Sequence, residues 1–246
     1  MRIPVLRGMI DRRILVNFRV DAGVLARILP PPFRPQLAAK GAGMAGICLI
    51  RLKEIRPRWF PSFVGIGSEN AAHRISVEWD DQGTTRRGVY IPRRDSSSYL
   101  NRLAGGRLFP GVHHHSRFTV SETGDNYRLD MLNGDGTHVL VEGHLVERLP
   151  AGSVFGDLSQ ASEFFAQGSL GYSATGSDGT YDGLELHTLR WEVEPLAVSR
   201  VESSYFDDPS RFPPGSVHFD CALLMRHIPH EWHGVEPLTC CVSAGR

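Results

Sequence analysis

Three consecutive histidines followed closely by an arginine form the densest group of titratable side chains in this 246-residue chain. They lie in the segment 90–118, YIPRRDSSSYLNRLAGGRLFPGVHHHSRF, which also contains the pair Arg93 and Arg94. Imidazole titrates near neutral pH, so a buried histidine beside a carboxylate can act as a general acid or base. The pair Arg93 and Arg94 precedes a predicted short helix near 96–104, and guanidinium groups next to a helix N-terminus favour a bound carboxylate. The segment is therefore the first candidate for a binding or catalytic site.

Strand parity divides the candidate side chains between two faces, because residues two apart on a strand point to the same side. On the strand that begins at His113, one face carries His113, His115 and Arg117. On the strand 138–146, Glu142 lies on a polar face, opposite an apolar one. The polar faces either line a common cavity or are wetted by solvent, as is common in antiparallel sheets. We predict a common cavity with catalytic residues His113, His115 and Glu142 and substrate-binding residues Arg93, Arg94 and Arg117.

Two alternatives to this site stay open. Arg93 and Arg94 can instead be a surface pair that protects a strand end from aggregation. The histidines can instead bind a metal, but clusters without carboxylate or thiol support are weak indicators of zinc. The second cluster, 227–233, has a histidine at every third position, and Pro229 disfavours a regular helix there. We predict an exposed loop at 227–233, and no metal or cofactor.

Short strands separated by turns dominate the remaining pattern. Alternating or continuous apolar runs predict strands at 10–20, 45–54, 73–79, 86–91, 117–120, 127–132, 138–147, 169–175, 183–194, 198–206 and 217–225. The clean apolar alternation of 73–79 predicts that this strand is half-buried. Caps at Asp21, at Asp95 or Ser96, and at Ser159, together with nearby glycines and prolines, predict short helices near 22–29, 96–104 and 159–167. Many strands with few helices indicate an antiparallel barrel or paired sheets.

Composition narrows the class of protein. The chain is 41% hydrophobic and 22% charged, which suits one domain spanning 1–246. Its formal net charge is zero, so no global field favours nucleic acid or anionic lipid. Apolar runs stay well short of the roughly 20 residues of a membrane helix, and the N-terminus lacks a signal-peptide pattern, so we expect a cytoplasmic protein. The spacing of the four cysteines favours structural thiols.

Four stretches of this chain together resemble the acetoacetate decarboxylase superfamily, and most of all its uncharacterised bacterial branch, the YqjF-like proteins. These are VNFRVDAGVLARILPPPFRPQ (16–36), AGICLIRLKEIRPRWFPSF (45–63), the histidine-containing segment 90–118, and LHTLRWEVEPLAVSRVE (186–202). The resemblance implies a mainly β (α+β) fold, an antiparallel cone-shaped β-barrel with a central cavity and a few short helices.

The chain departs from the decarboxylase at the reactive lysine. In that enzyme a lysine forms a Schiff base with the substrate ketone, and it lies in the loop after the helix that corresponds to 96–104 here. The matching loop 106–112 has no lysine, and the only two in the chain, Lys40 and Lys53, lie upstream. Arg107 cannot replace it, because a guanidinium keeps its proton.

The resemblance and the missing lysine together lead to two hypotheses about function. The first is an enzyme with a lyase-like activity on an oxo acid or related carbonyl compound, using His/Glu acid–base chemistry without an imine. The second is a non-catalytic small-molecule-binding protein that uses the same cavity. Either way, we expect a small-molecule ligand as partner, no nucleic acid and no membrane, while a homo-oligomer stays open.

Overall fold

The computed structural model describes residues 4–98 and 111–240. Its strands are β1 (Leu6–Val20), β2 (Arg34–Pro35), β3 (Gly43–Pro57), β4 (Ile66–Asp81), β5 (Thr84–Ser96), β6 (His113–Thr123), β7 (Asn126–Asn133), β8 (His138–Leu145), β9 (Leu170–Ala174), β10 (Thr180–Thr188), β11 (Glu194–Ser203) and β12 (Val217–Thr239). The described helices are α1 (Ala22–Ile28) and α2 (Leu158–Ala166), with 3-10 turns at Ala39–Gly41, Ser62–Val64 and Gln167–Ser169. Neither helix is long and apolar enough to cross a membrane.

The strands form one twelve-stranded sheet in the order β10-β9-β5-β6-β7-β8-β11-β12-β1-β3-β4-β2. Two further pairings, β4–β5 and β10–β12, join strands that are distant in this order. The predicted mainly β fold is confirmed. The sheet is antiparallel except where β5 pairs in parallel with β6 and with β9. A parallel pair needs a connection of about a dozen residues or more, and the stretch 97–112 between β5 and β6 is long enough for one.

Apolar side chains are buried on both faces of the sheet. The first cluster is rich in aromatic rings, including Phe33, Trp79 and Tyr172. The second cluster lies under α2, where Phe165 packs with Leu15 and other aliphatic side chains.

Strand β4 illustrates the two faces. His73, Ile75, Val77 and Trp79 are buried on one side as the alternation predicts, but Arg74 and Ser76 on the other side are only 5% exposed each. The predicted half-buried strand is therefore wrong. The reason is tertiary: α2 covers the second face, and its Phe165 ring lies 5.2 Å from the Arg74 guanidinium carbon.

The two described helices begin at carboxylate caps. Asp21 accepts a hydrogen bond from the Val24 backbone N–H at 2.9 Å, as predicted. Helix α2 is capped by Asp157, whose carboxylate accepts from the Gln160 N–H at 2.9 Å, and not by Ser159. The third predicted helix, 96–104, begins at a residue that ends β5, and positions 99–104 lie outside the described residues.

Strand β5 continues through Pro92, where the sequence predicts that pairing ends. The register with β4 shifts between the pairs His73–Arg93 and Ile75–Tyr90, which leaves one extra residue on β5. A bulge of this kind accommodates a residue that has no N–H to donate. As a result Arg93 and Arg94 belong to a strand.

The histidine cluster 227–233 is part of β12, so the predicted exposed loop is also wrong. In the pairing with β1, His230 lies opposite Gly8, and in the pairing with β10, His233 lies opposite Glu185. His230 is only 2% exposed, and its ring centroid lies 5.9 Å from that of Trp232, which packs against the second cluster. Across residues 4–98 and 111–240, no group of three or more His, Cys, Asp or Glu side chains is arranged to hold a metal ion.

Candidate functional site

A cavity of ≈ 90 Å³ lies between the second face of the sheet and the 3-10 turn that follows α2. Most of its wall is aliphatic, with contributions from Ile50, Leu52, Val89, Ile91, Leu184 and Leu186. The polar part of the wall consists of Arg13, Cys48, Asn70, Arg74, Arg94, Asp95, His113, Ser169 and Trp232. Three guanidinium groups therefore face one small and largely apolar space.

These three arginines donate to neutral groups. The hydrogen bonds run from Arg13 Nε to Cys48 Sγ at 3.3 Å, from Arg74 Nη2 to Asn17 Oδ1 at 2.5 Å, and from Arg94 Nε to Ser173 Oγ at 3.3 Å. Within the described part of the chain, none of the three forms an ion pair with a carboxylate. The lining residue Asp95 does not neutralise them, because its carboxylate accepts from Arg93 and Ser116, each at 2.8 Å.

In the part of the chain that the structure describes, no carboxylate pairs with the three arginines that face this cavity. Burial lowers the pKa of Arg74 to about 10, and it lowers the pKa of Arg94 to about 10. Both values stay above neutral pH, so both side chains keep their protons. Arg74 is only 5% exposed, and its Nε has no hydrogen-bond partner among the described residues. A buried charge without a partner is costly, and a bound anion would lower that cost.

Strand alternation explains how the arginines reach the cavity. Ile14 and Val16 on β1 belong to the first cluster, so Arg13 projects to the second face together with Leu15. On β4, Ile75 belongs to the first cluster, so the preceding residue Arg74 projects to the second face. Sequence reasoning did not select Arg13 or Arg74. The sequence feature that could have indicated them is an arginine inside a strand that has apolar residues on both faces. A strand of this kind is buried on both sides.

Two of the six predicted site residues line this cavity. Arg94 and His113 are register partners in the β5–β6 pairing. Their sequence neighbours Arg93 and His114 line a different, wider cleft. Arg93 already has two carboxylate partners, because it donates hydrogen bonds to Asp95 and to Asp135 at 2.8 Å each.

The remaining predicted residues do not join the cavity. His115 lies opposite Ser96 and is not among the lining residues. Arg117 is exposed on β6. Glu142 forms an ion pair with Arg128 on the neighbouring strand, and its side chain is 30% exposed.

The structure thus does not bring Glu142 and His115 together with His113 in one cavity. The physical reason is the direction of β8. Val139 and Val141 on β8 pack into the first cluster, so the opposite face, which carries Glu142, is turned toward the surface. Parity correctly separated the two faces of β8, but the apolar face is the one that looks inward.

Neither lysine lines the cavity. Lys53 pairs with Asp11 at 2.8 Å and its side chain is 56% exposed, while Lys40 lies on the exposed 3-10 turn Ala39–Gly41. We therefore expect borohydride reduction in the presence of acetoacetate or pyruvate to trap no adduct, because imine formation needs a lysine beside the bound carbonyl. Intact-mass measurement checks this result. A stable mass increase mapped to Lys40 or Lys53 would contradict it.

The fold is that of acetoacetate decarboxylase-like proteins. Residues 9–220 match the family DUF2071, described as an uncharacterized conserved protein, and the chain belongs to that family. No protein of curated function matches the chain in sequence.

Solved structures share the fold at low sequence identity. Acetoacetate decarboxylase from Legionella pneumophila aligns at 12% identity with a TM-score of 0.60, covering 96% of this chain and 88% of that one. An acetoacetate decarboxylase-like enzyme from Sphingomonas wittichii aligns at 10% identity with a TM-score of 0.57, covering 96% and 94%. The enduracididine biosynthesis enzyme MppR, complexed with pyruvate, aligns at 11% identity with a TM-score of 0.55, covering 97% and 91%. At these identities the likeness concerns the fold alone.

Proposed function

We propose that the cavity binds a small carboxylate that carries a carbonyl group, such as a 2-oxo acid, and that the protein is an enzyme acting on this compound by acid–base chemistry without a Schiff-base lysine. The main support is that Arg13, Arg74 and Arg94 face one apolar cavity and have no carboxylate partner within residues 4–98 and 111–240. Guanidinium and carboxylate groups match in charge and in bidentate geometry, and the low polarity of the cavity strengthens their attraction.

The size of the cavity supports a small ligand. Drug-sized ligands occupy pockets of roughly 300–1,000 Å³, several times larger than the ≈ 90 Å³ found here. A fold neighbour, MppR, has been solved with pyruvate, so a related fold accommodates a compound of this size and charge. We further propose that the β4–β5 and β10–β12 pairings close the sheet into a cone-shaped barrel around this cavity.

His113 is our candidate for the proton-transfer group. It lies beside Arg94 in the register of β5 and β6 and lines the same cavity. An imidazole in this place can take a proton from a carbon next to a carbonyl, or give one to the carbonyl oxygen, at neutral pH. Glu142 is not part of this proposal, because its carboxylate is paired with Arg128.

A non-catalytic binding protein is the second candidate. The observation that favours it is the chemistry of the cavity wall, which is mostly aliphatic and includes no lysine. Such a wall retains a carboxylate without acting on it. Turnover of the bound compound distinguishes the two candidates, whereas binding alone does not.

We expect pyruvate and acetoacetate to bind in calorimetry, and acetone, which lacks the carboxylate, to bind much more weakly. Replacing Arg94 by Gln is expected to weaken pyruvate binding by about tenfold or more, the typical loss for a charge-assisted hydrogen bond. The matched control is Arg117→Gln, which makes the same change at an exposed site. Equal affinity for acetone and pyruvate, or an unchanged affinity in Arg94→Gln, would overturn the proposal.

A further inference from the structure

We propose that Cys48 is a nucleophile in this cavity and captures the carbonyl carbon of a bound 2-oxo acid as a reversible hemithioketal. The proposal rests on the proposed function, because the oxo acid must first bind to the arginines. It goes beyond the proposed function because it adds a covalent bond between the protein and the oxo acid. It assigns that bond to Cys48, which the cysteine spacing predicts to be a structural thiol.

The position of Cys48 supports this role. The residue lies in the middle of β3, between Leu15 on β1 and Ala72 on β4, and it lines the cavity. Only 7% of its surface is exposed to bulk solvent. Its Sγ accepts a hydrogen bond from Arg13 Nε at 3.3 Å. The sulfur therefore meets the ligand in a space from which most water is excluded.

The charges around Cys48 suit an anionic ligand and the negative charge that develops when sulfur adds to its carbonyl group. Arg74, which is 5% exposed and whose Nε has no partner among the described residues, independently indicates that the cavity takes an anion. The addition places negative charge on the carbonyl oxygen, and guanidinium groups around that oxygen stabilise the charge. The three arginines that line the cavity can therefore hold the carboxylate and stabilise this oxygen together.

The chemistry needs no further reactant. A sulfur lone pair forms a C–S bond to the carbonyl carbon, and the electrons of the C=O π bond move onto the oxygen. The proton that leaves the thiol is delivered to that oxygen, with His113 as the carrier within the cavity. The product has the atoms of thiol plus ketone, nothing is oxidised or reduced, and the reverse steps release the oxo acid. This covalent capture replaces the imine that a lysine would form.

The other cysteines serve as internal controls. Cys221 is fully buried, and burial raises the pKa of its thiol, which makes it unreactive. Cys240 is partly exposed at the end of β12 and does not line the cavity. Peptide mapping separates the peptide that contains Cys48 from the C-terminal one that contains Cys240 and Cys241.

Two alkylating agents with the same leaving group test the reactivity. Iodoacetate carries a carboxylate and iodoacetamide does not, so we expect iodoacetate to modify Cys48 about tenfold faster, in line with electrostatic guidance by the arginines. The C-terminal peptide should show no such preference. Pyruvate should protect Cys48, and Arg94→Gln should remove most of the preference. A Cys48 that is unmodified, or that reacts no faster with iodoacetate, would overturn the proposal.

A second measurement separates this proposal from the proposed function. With pyruvate labelled with ¹³C at the carbonyl carbon, the wild-type protein should show the signal of a tetrahedral carbon bonded to sulfur, distinct from that of pyruvate hydrate, and the Cys48→Ala variant should bind pyruvate without that signal. If wild-type protein binds pyruvate in calorimetry and gives no tetrahedral signal, the covalent step is wrong and the proposed function stands. If pyruvate does not bind at all, both fail.

Discussion

Acidification from pH 6.5 to about pH 4.5 is expected to lower the free energy of unfolding by roughly 2 kcal/mol for each of two buried histidines, His73 and His230. Burial lowers the pKa of His73 to about 4, and it lowers the pKa of His230 to about 4, against 6.5 for an exposed imidazole. Above pH 6.5 both the folded and the unfolded chain hold these imidazoles neutral. Below it the unfolded chain takes up protons first, so stability present above pH 6.5 is lost as pH falls toward 4.

The surroundings of His73 explain the direction of the shift. The side chain is fully buried, its ring centroid lies 4.6 Å from that of Tyr205, and neither ring nitrogen has a hydrogen-bond partner in the described parts of the chain. Among the charged groups that act on it, Asp95 favours the protonated form, whereas Arg93 and Arg211 oppose it. Desolvation is the largest of these effects and determines the sign.

Urea unfolding at a series of pH values measures this loss. The variant His73→Phe keeps an aromatic ring beside Tyr205 and removes the titratable group, so it should lose about half of the drop between pH 6.5 and 4.5. The matched control, His144→Gln, removes an exposed imidazole and should keep the full drop. Carboxylates such as Asp135, whose pKa is lowered by Arg93, contribute to the pH dependence of stability mainly below pH 4.5. An identical pH dependence in His73→Phe and wild type would show that the buried imidazole is not responsible.

The second large effect is expected at Arg12, whose guanidinium is 2% exposed between two carboxylates. Its Nη2 donates to Glu69 and its Nη1 to Glu122, each at 2.6 Å. Replacing both carboxylates together, Glu69→Gln with Glu122→Gln, leaves the buried guanidinium without a counter-ion. We expect the free energy of unfolding to fall by about 3–5 kcal/mol, which is the usual loss when one partner of a buried ion pair is removed. Urea unfolding at pH 7 measures this change.

A third substitution makes this prediction specific. Adding Arg12→Met to the double variant removes the uncompensated charge and keeps an unbranched side chain of similar length, so at least half of the lost stability should return. Arg51 also contacts both carboxylates, but its side chain is 26% exposed and water can replace those contacts. If the triple variant is no more stable than the double variant, the buried charge of Arg12 is not the cause of the loss.

Local sequence determined most of the secondary structure of this protein. Asp21 and the prolines after Leu29 delimit α1, because one caps the N-terminus and the others cannot continue a helix. The hairpin between β4 and β5 turns at Gln82 and Gly83, which both have positive φ angles, and the glycine adopts one without steric cost. These features depend on residues a few positions apart, so they can be predicted from sequence.

The candidate site depended on the tertiary structure. Arg13, Cys48 and Arg74 come from three different strands and meet because β1, β3 and β4 are adjacent in one sheet. Alternation tells which residues share a face of a strand, but it does not tell which face packs inward. On β8, Val139 and Val141 pack into the core, so Glu142 points outward. On β4, helix α2 covers the face that carries Arg74. Long-range packing, which no local pattern contains, decided which polar side chains enclose the cavity.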